Sequence, residues 1–195
     1  MAGFSLVVGA LYAFTAANER VDSWPVPEDA RPALERGLAI GPSSGEALTV
    51  FVDYDCESCH DLIANFVALA KEREAVRMVV KQLPNEQSAH SSLTGAIVAA
   101  CAGEQGAIER FSQYAAERQG TNGSPIHSVE IAHNIGVSDT TAFRLCISEG
   151  GGLWQVRQDQ QEAARAGIER APAVVYDGTA YQGRRAVRQL HRILR

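Results

Sequence analysis

The sequence predicts an α/β chain in the order strand–helix–strand, helical block, strand–strand–helix. Three observations predict it. Two short β-rich apolar runs, residues 47–52 and 76–80, flank a stretch with apolar residues at three- and four-residue steps. Residues 88–166 keep a helical character throughout. A second strand pair, 173–176 and 179–182, meets at Asp177-Gly178 and leads into an amphipathic tail.

The elements follow in chain order. Residues 2–17 carry no charge and include Phe4, Leu6, Val7, Val8, Leu11, Tyr12 and Phe14, with small residues at Thr15, Ala16 and Ala17. That run is shorter than the roughly 20 apolar residues of a spanning helix. It suits the apolar core of a signal peptide or membrane anchor over residues 1–22, although the first cation, Arg20, follows it rather than preceding it. Residues 23–45 hold Pro25, Pro27, Pro32 and Pro42 and read as a loosely attached linker, with a short helix near 31–38.

The main domain is expected over 46–195. Residues 47–52 form a buried strand, and a helix opens at Asp55 and Cys56 with Leu62, Ile63, Phe66 and Val67 on its apolar face. A strand over 76–80, closed by Leu83-Pro84, completes a βαβ unit, which implies a parallel pair. A helical insertion spans about 86–166, with a break at 120–125, a cap at Asp139 and a helix break or hinge at Gly150-Gly151-Gly152. A final helix over 184–194 packs through Val187, Leu190 and Leu194.

Composition narrows the function classes. The chain has 195 residues, 46% hydrophobic and 21% charged, which permits one packed domain and argues against disorder. A net charge of −5 argues against nucleic acid as the main partner, because phosphate binding needs a basic patch. The four cysteines divide into a close pair, Cys56 and Cys59, and a distant pair, Cys101 and Cys146.

Cys56-Glu57-Ser58-Cys59 sits where a strand gives way to a helix. Unpaired N–H groups and the positive end of the helix dipole stabilise a thiolate there. Cys56 then becomes a nucleophile and a good leaving group, and Cys59, about one turn on, can resolve a mixed disulfide. Three other readings stay open at this point. The pair is half of a zinc site, but no second such pair exists and His90, His127, His133 and His191 are scattered. Or Cys56, Cys59 and His60 spell a c-type haem attachment, although Met78 lies in a strand rather than a ligand loop. Or the pair is an inert disulfide. His60 is expected as a partly exposed residue that tunes the thiolate. Ala171-Pro172, before the third strand, reads either as an ordinary strand start or as a cis-proline loop whose backbone pairs with an extended peptide.

The ordered set Phe51-Val52-Asp53-Tyr54-Asp55-Cys56-Glu57-Ser58-Cys59-His60, Lys81-Gln82-Leu83-Pro84, Ala99-Ala100-Cys101-Ala102-Gly103-Glu104-Gln105-Gly106, Phe143-Arg144-Leu145-Cys146, Gly167-Ile168-Glu169-Arg170-Ala171-Pro172-Ala173 and Tyr181-Gln182-Gly183 resembles the DsbA-type, thioredoxin-4-like branch of the thioredoxin superfamily. The resemblance covers roughly residues 41–195. It implies a thioredoxin fold with a helical insertion and thiol–disulfide exchange by Cys56 and Cys59. It also implies a cis bond at Pro172, no cofactor or metal, clients among exported proteins with thiols or disulfides, and a membrane or soluble redox partner. The setting it implies is periplasmic or otherwise extracytoplasmic. Cys101 and Cys146 match positions where some relatives carry a second pair, which implies a structural disulfide; two buried free thiols are the other reading. The sequence departs from the family at Glu57-Ser58, where Pro-Tyr or Pro-His is common. Like-charge repulsion from Glu57 is expected to oppose the Cys56 thiolate and make the dithiol less oxidising than the strongest oxidants of the branch. Two other functions remain in view: a client-binding or assembly factor without turnover, and the haem protein.

Overall fold

The computed structural model describes residues 23–70, 76–85, 90–118 and 128–193. The expected segment 1–22, the helix break at 120–125 and Leu194 lie outside them. Strand β3 (Glu46–Val52) is central, because its residues are apolar on both sides: Leu48, Val50 and Val52 point to one face, and Phe51, with the small Thr49, to the other. It pairs in parallel with β4 (Val76–Gln82) and antiparallel with β5 (Ala173–Tyr176), so that Val50 faces Val80 on one side and Val174 on the other. Helix α2 (Glu57–Ala70) makes the crossover from β3 to β4. β6 (Thr179–Gln182) pairs with β5 across Asp177-Gly178, whose φ values of 46° and 68° are those the tight hairpin demands.

The segment 23–45 is a correction to the linker expected there. Residues of β1 (Ser23–Pro25) pair with β6, and β2 (Leu38–Ile40) pairs with β4, giving the sheet order β1-β6-β5-β3-β4-β2. Helix α1 (Arg31–Leu34) lies between them, shorter than expected. The prolines that suggested a linker fit this role, since Pro25 lies on an edge strand, where a missing N–H leaves no inner partner unpaired. Val26, Ala30 and Leu34 are buried with Phe51 and Val175 on one face of the sheet. The Thr49 hydroxyl donates to the Leu34 carbonyl at 2.8 Å, and Trp24 Nε1 donates to the Ala166 carbonyl at 2.8 Å.

The other face carries the larger core, where Leu62, Ile63 and Phe66 of α2 meet Met78 and Val80. The insertion closes over it with α3 (His90–Glu104), α4 (Ile108–Glu117), α5 (Ser128–Asn134) and α6 (Thr140–Ser148), while α7 (Gly151–Arg165) reaches the first face, where Ala163 is buried with Phe51 and Val175. Asp139 caps α6 as expected, accepting from Thr141 and Ala142 N–H. Helix α8 (Arg184–Ile193) buries Ala186 and Leu190. The glycine run is a helix break, as expected: Gly150, at φ 83°, separates α6 from α7. Gly151 and Gly152 lie inside α7, and a Cβ on Gly152 would stand 2.5 Å from the Ile97 carbonyl oxygen and 2.8 Å from Cys101 Sγ. The missing side chain lets α7 approach α3 this closely.

Helix α7 is also tied to β4 by charge. Lys81 Nζ, on a residue 2% exposed, lies 2.7 Å from Glu162 Oε2 and 3.4 Å from Asp159 Oδ1. Asp159 Oδ2 accepts the Gln82 backbone N–H at 2.9 Å. Burial pushes the Asp159 carboxyl up to about 6, against the attraction of Lys81.

Candidate active site

The end of β3 and the start of α2 build the site. After Val52 the chain turns through Asp53-Tyr54-Asp55, with Cys56 N–H donating to the Asp53 carbonyl at 3.1 Å. Tyr54 roots this turn in the core. It is fully buried, stands edge-on to Phe111 at 4.9 Å, and has its hydroxyl 3.4 Å from Ser112 Oγ. Burial pushes its phenol up to about 12. Cys56 then opens the helix: its carbonyl accepts from Cys59 and His60 N–H at 2.9 and 3.2 Å. Its own side chain is left at the positive end of α2.

The two sulfurs are 2.6 Å apart. Cys56 is partly exposed and Cys59 is buried. The Cys56 thiol is held at about 6, below the ordinary range. The largest cause is the hydrogen bond from Cys59; burial acts against it, and Ser58, whose hydroxyl is 3.2 Å away, adds to the lowering. Burial pushes the Cys59 thiol well above its ordinary value, and the neighbouring Cys56 pushes it further. One helical turn therefore separates an accessible thiolate from a protonated, sheltered thiol.

Cys56 opens onto a cleft of about 1020 Å³. One wall is Leu83, Pro84 and Asn85 after β4; the other is Arg157, Gln160, Gln161 and Ala164 on one stripe of α7, with Ala171 at the end. The Ala171-Pro172 bond is cis, and Ala171 lines the same cleft as Cys56. Cys101 and Cys146 are bonded and join α3 to α6; neither lines the cleft.

Two expected tuning roles change. His60 is 6% exposed and its Nε2 lies 2.8 Å from the Tyr54 carbonyl, so the ring is turned into the fold and away from the thiolate. A ring so engaged is poorly placed to ligate a haem iron. Glu57 is exposed on the first turn of α2, and the carboxylate that opposes both thiols is that of Asp53 instead. Ser58 does touch the thiolate. Among the described residues no group of three or more His, Cys, Asp or Glu could hold a metal ion, and no helix is long and apolar enough to cross a membrane.

Sequence reasoning missed Asp53, Ser92 and the Lys81–Asp159–Glu162 cluster. One signal was present: a lysine or aspartate that ends an otherwise apolar strand run enters the interior and needs a partner there. The partners themselves are 39 residues from Asp53 and 78 from Lys81, beyond any local pattern.

The family model described as Thioredoxin matches residues 34–195. No curated protein matches the chain. Among solved structures, a thioredoxin-like oxidoreductase from Silicibacter pomeroyi DSS-3 is similar at TM-score 0.67 and 21% identity, covering 85% of this chain and 94% of that one. A periplasmic thioredoxin-like protein from Salmonella enterica serovar Typhimurium is similar at TM-score 0.68 and 16% identity, covering 88% and 97%. The thiol-disulfide exchange protein alpha-DsbA2 from Wolbachia pipientis is similar at TM-score 0.65 and 17% identity, covering 80% and 84%. At these identities the likeness shows a shared fold, the thioredoxin fold with a helical insertion that the sequence resemblance implies.

Proposed function

This chain belongs to the thioredoxin family, and we propose that it is a thiol–disulfide oxidoreductase whose reacting groups are Cys56 and Cys59. The observation that carries this is the contrast within the pair: a partly exposed Cys56 thiol held at about 6 beside a buried Cys59 thiol pushed upward. At pH 7 a group titrating near 6 is roughly nine-tenths thiolate.

The steps balance in either direction. With the dithiol reduced, the Cys56 thiolate attacks a client disulfide and one client sulfur leaves as thiolate. Cys59 then loses its proton, attacks Cys56 Sγ, and releases the second client thiolate, so the client gains two electrons and the enzyme becomes the disulfide. With the dithiol oxidised, a client thiolate attacks Cys56 Sγ and Cys59 leaves and is protonated. A second client thiolate then displaces Cys56, and the client loses two electrons. The cis-Pro172 loop, with Ala171 in the cleft, suits an extended client segment pairing through backbone groups.

Insulin reduction and the refolding of reduced, scrambled protein test the function. Turnover in both that survives Cys56→Ser overturns it, and absence of turnover in the parent chain favours a client-binding factor. A Cys56 thiol near 6 is closer to thioredoxin, at about 7, than to the strongest oxidant of the superfamily, at about 3.5. The reduction potential is therefore expected below the roughly −120 mV of that oxidant, and a glutathione titration giving a value that high contradicts it. The apolar residues 2–17 support export or anchoring, with clients outside the cytoplasm; fractionation of a tagged full chain into the cytosol alone would refute this.

A further inference from the structure

We propose that Asp53 is a positioning residue for the dithiol: its buried carboxylate clasps the Cys56 turn to the opposite wall of the cleft and holds a fixed negative charge close to both sulfurs. This rests on the function proposed above and goes beyond it.

Asp53 is 5% exposed and is bonded through every polar group it has. Oδ1 accepts from the Asp55 backbone N–H at 3.0 Å, which closes the turn, and from Ser92 Oγ at 2.8 Å. Oδ2 accepts from the Asn85 backbone N–H at 3.2 Å. Asn85 N–H also reaches Ser92 Oγ, at 2.9 Å, so a residue at the β3–α2 turn, one on the cleft wall after β4 and one on α3 form a closed triangle. The Asp53 backbone belongs to the same assembly: its carbonyl takes the Cys56 N–H, and the backbone of Asp53 also hydrogen-bonds Cys59. Both cysteines therefore keep their places through one residue whose charge disfavours the ionised form of each.

The other ionisable groups around the turn differ in kind. Asp55, Glu57 and Asp61 are exposed to solvent, where screening weakens their field. His60 is turned toward the Tyr54 carbonyl, and Arg157, Glu169 and Arg170 line the cleft onto which Cys56 opens. A side chain that served only to hold the fold would bring its hydrogen bonds without governing the thiols. The two roles separate experimentally.

The test is the pH dependence of Cys56 alkylation by iodoacetamide in the reduced full chain, read with the glutathione equilibrium. Asp53→Asn keeps the shape and removes the charge. The alkylation midpoint is expected to fall by about 0.5–1 pH unit, and the equilibrium to move about threefold to tenfold toward the dithiol. Ser92→Ala keeps the charge and removes a donor that spreads it, so the midpoint is expected to rise, by about 0.2–0.5 unit. Asp55→Asn, two residues along the same turn and exposed, is expected to move it less than half as far as Asp53→Asn. An unmoved or raised midpoint in Asp53→Asn overturns the proposal, as does an equal shift in Asp55→Asn. If Asp53→Asn does not fold, Ser92→Ala decides alone: a rise supports the proposal and no movement overturns it. Alkylation needs no client, so a failure to turn over insulin would refute the oxidoreductase function and leave this result standing.

Discussion

Cys56 and Cys59 stand three residues apart at the open end of a helix, whereas Cys101 and Cys146 are 45 residues apart and bonded inside the helical block. The first pair has a cleft on one side, a hydroxyl at 3.2 Å and a charged carboxylate held nearby. The second has the backbone of α7 against it, with Gly151 and Gly152 reduced to hydrogen so that the helix can reach the sulfurs. The chemical groups are identical. Access and electrostatics make one pair a reaction centre, and enclosure makes the other a crosslink.

The sharpest way to break that contrast is to exchange loss of function for loss of stability. Cys56→Ser is expected to reduce insulin turnover at least ~10³-fold, because the nucleophile is gone, with a urea midpoint at pH 6 close to that of the reduced parent. Cys59→Ser should instead accumulate a mixed disulfide with the client, visible as a reductant-sensitive band shift. The double change Cys101→Ala with Cys146→Ala should do the reverse. Opening that loop is expected to lower unfolding free energy by up to about 4 kcal/mol on the chain-entropy model, while turnover per folded molecule stays within about twofold. A variant that loses turnover but keeps its stability would show that the second pair reaches the cleft after all.

A smaller effect separates the site from its support by pH. Cys56 and Asp159 both titrate near 6, one pushed down and the other up. For Asp159 the folded value lies above the unfolded one, so the fold favours its protonated form. Its contribution to stability is full below about 4 and is lost as pH rises toward 6. For reduced Cys56 the folded value is the lower. Its contribution is present above the unfolded value near 9 and disappears as pH falls through 6. Urea midpoints of the reduced and oxidised protein should therefore diverge as pH rises from 6 to 9 and share the limb between 4 and 6. Asp159→Asn should flatten that shared limb alone, and flattening of both would couple the two groups.

The smallest effect expected is at Glu57. An exposed carboxylate is well screened, so Glu57→Gln should move the Cys56 alkylation midpoint by less than about 0.3 unit. A larger shift would return to Glu57 the role that the structure assigns to Asp53.

Much of the fold was legible because it is written in short periods. The continuous apolar run of residues 47–52 marks β3, the helical spacing of Leu62, Ile63 and Phe66 marks the inner face of α2, and Asp177-Gly178 marks the hairpin between β5 and β6. The strands at 23–25 and 38–40 were not legible, because three residues hold no period and their prolines point equally to a loop and to a sheet edge. His60 misled for a related reason. A histidine beside a Cys-x-x-Cys reads as part of the site, and only the packing of Tyr54 beneath the turn shows where its ring goes.

By itself, the sequence determined what depends on neighbours within about one turn. Cys56 and Cys59 lie close because helix geometry brings such residues to one face, and Cys56 meets free N–H groups because a helix begins there. Tertiary structure decided what depends on groups far apart along the chain: the clasp of Asp53 on Asn85 and Ser92, the pairing of Lys81 with Asp159 and Glu162, and the meeting of Cys56 with Ala171 across one cleft. Local sequence sets backbone periodicity and end effects. A buried charge takes its partner from whichever element packs against it, and packing is a property of the whole chain.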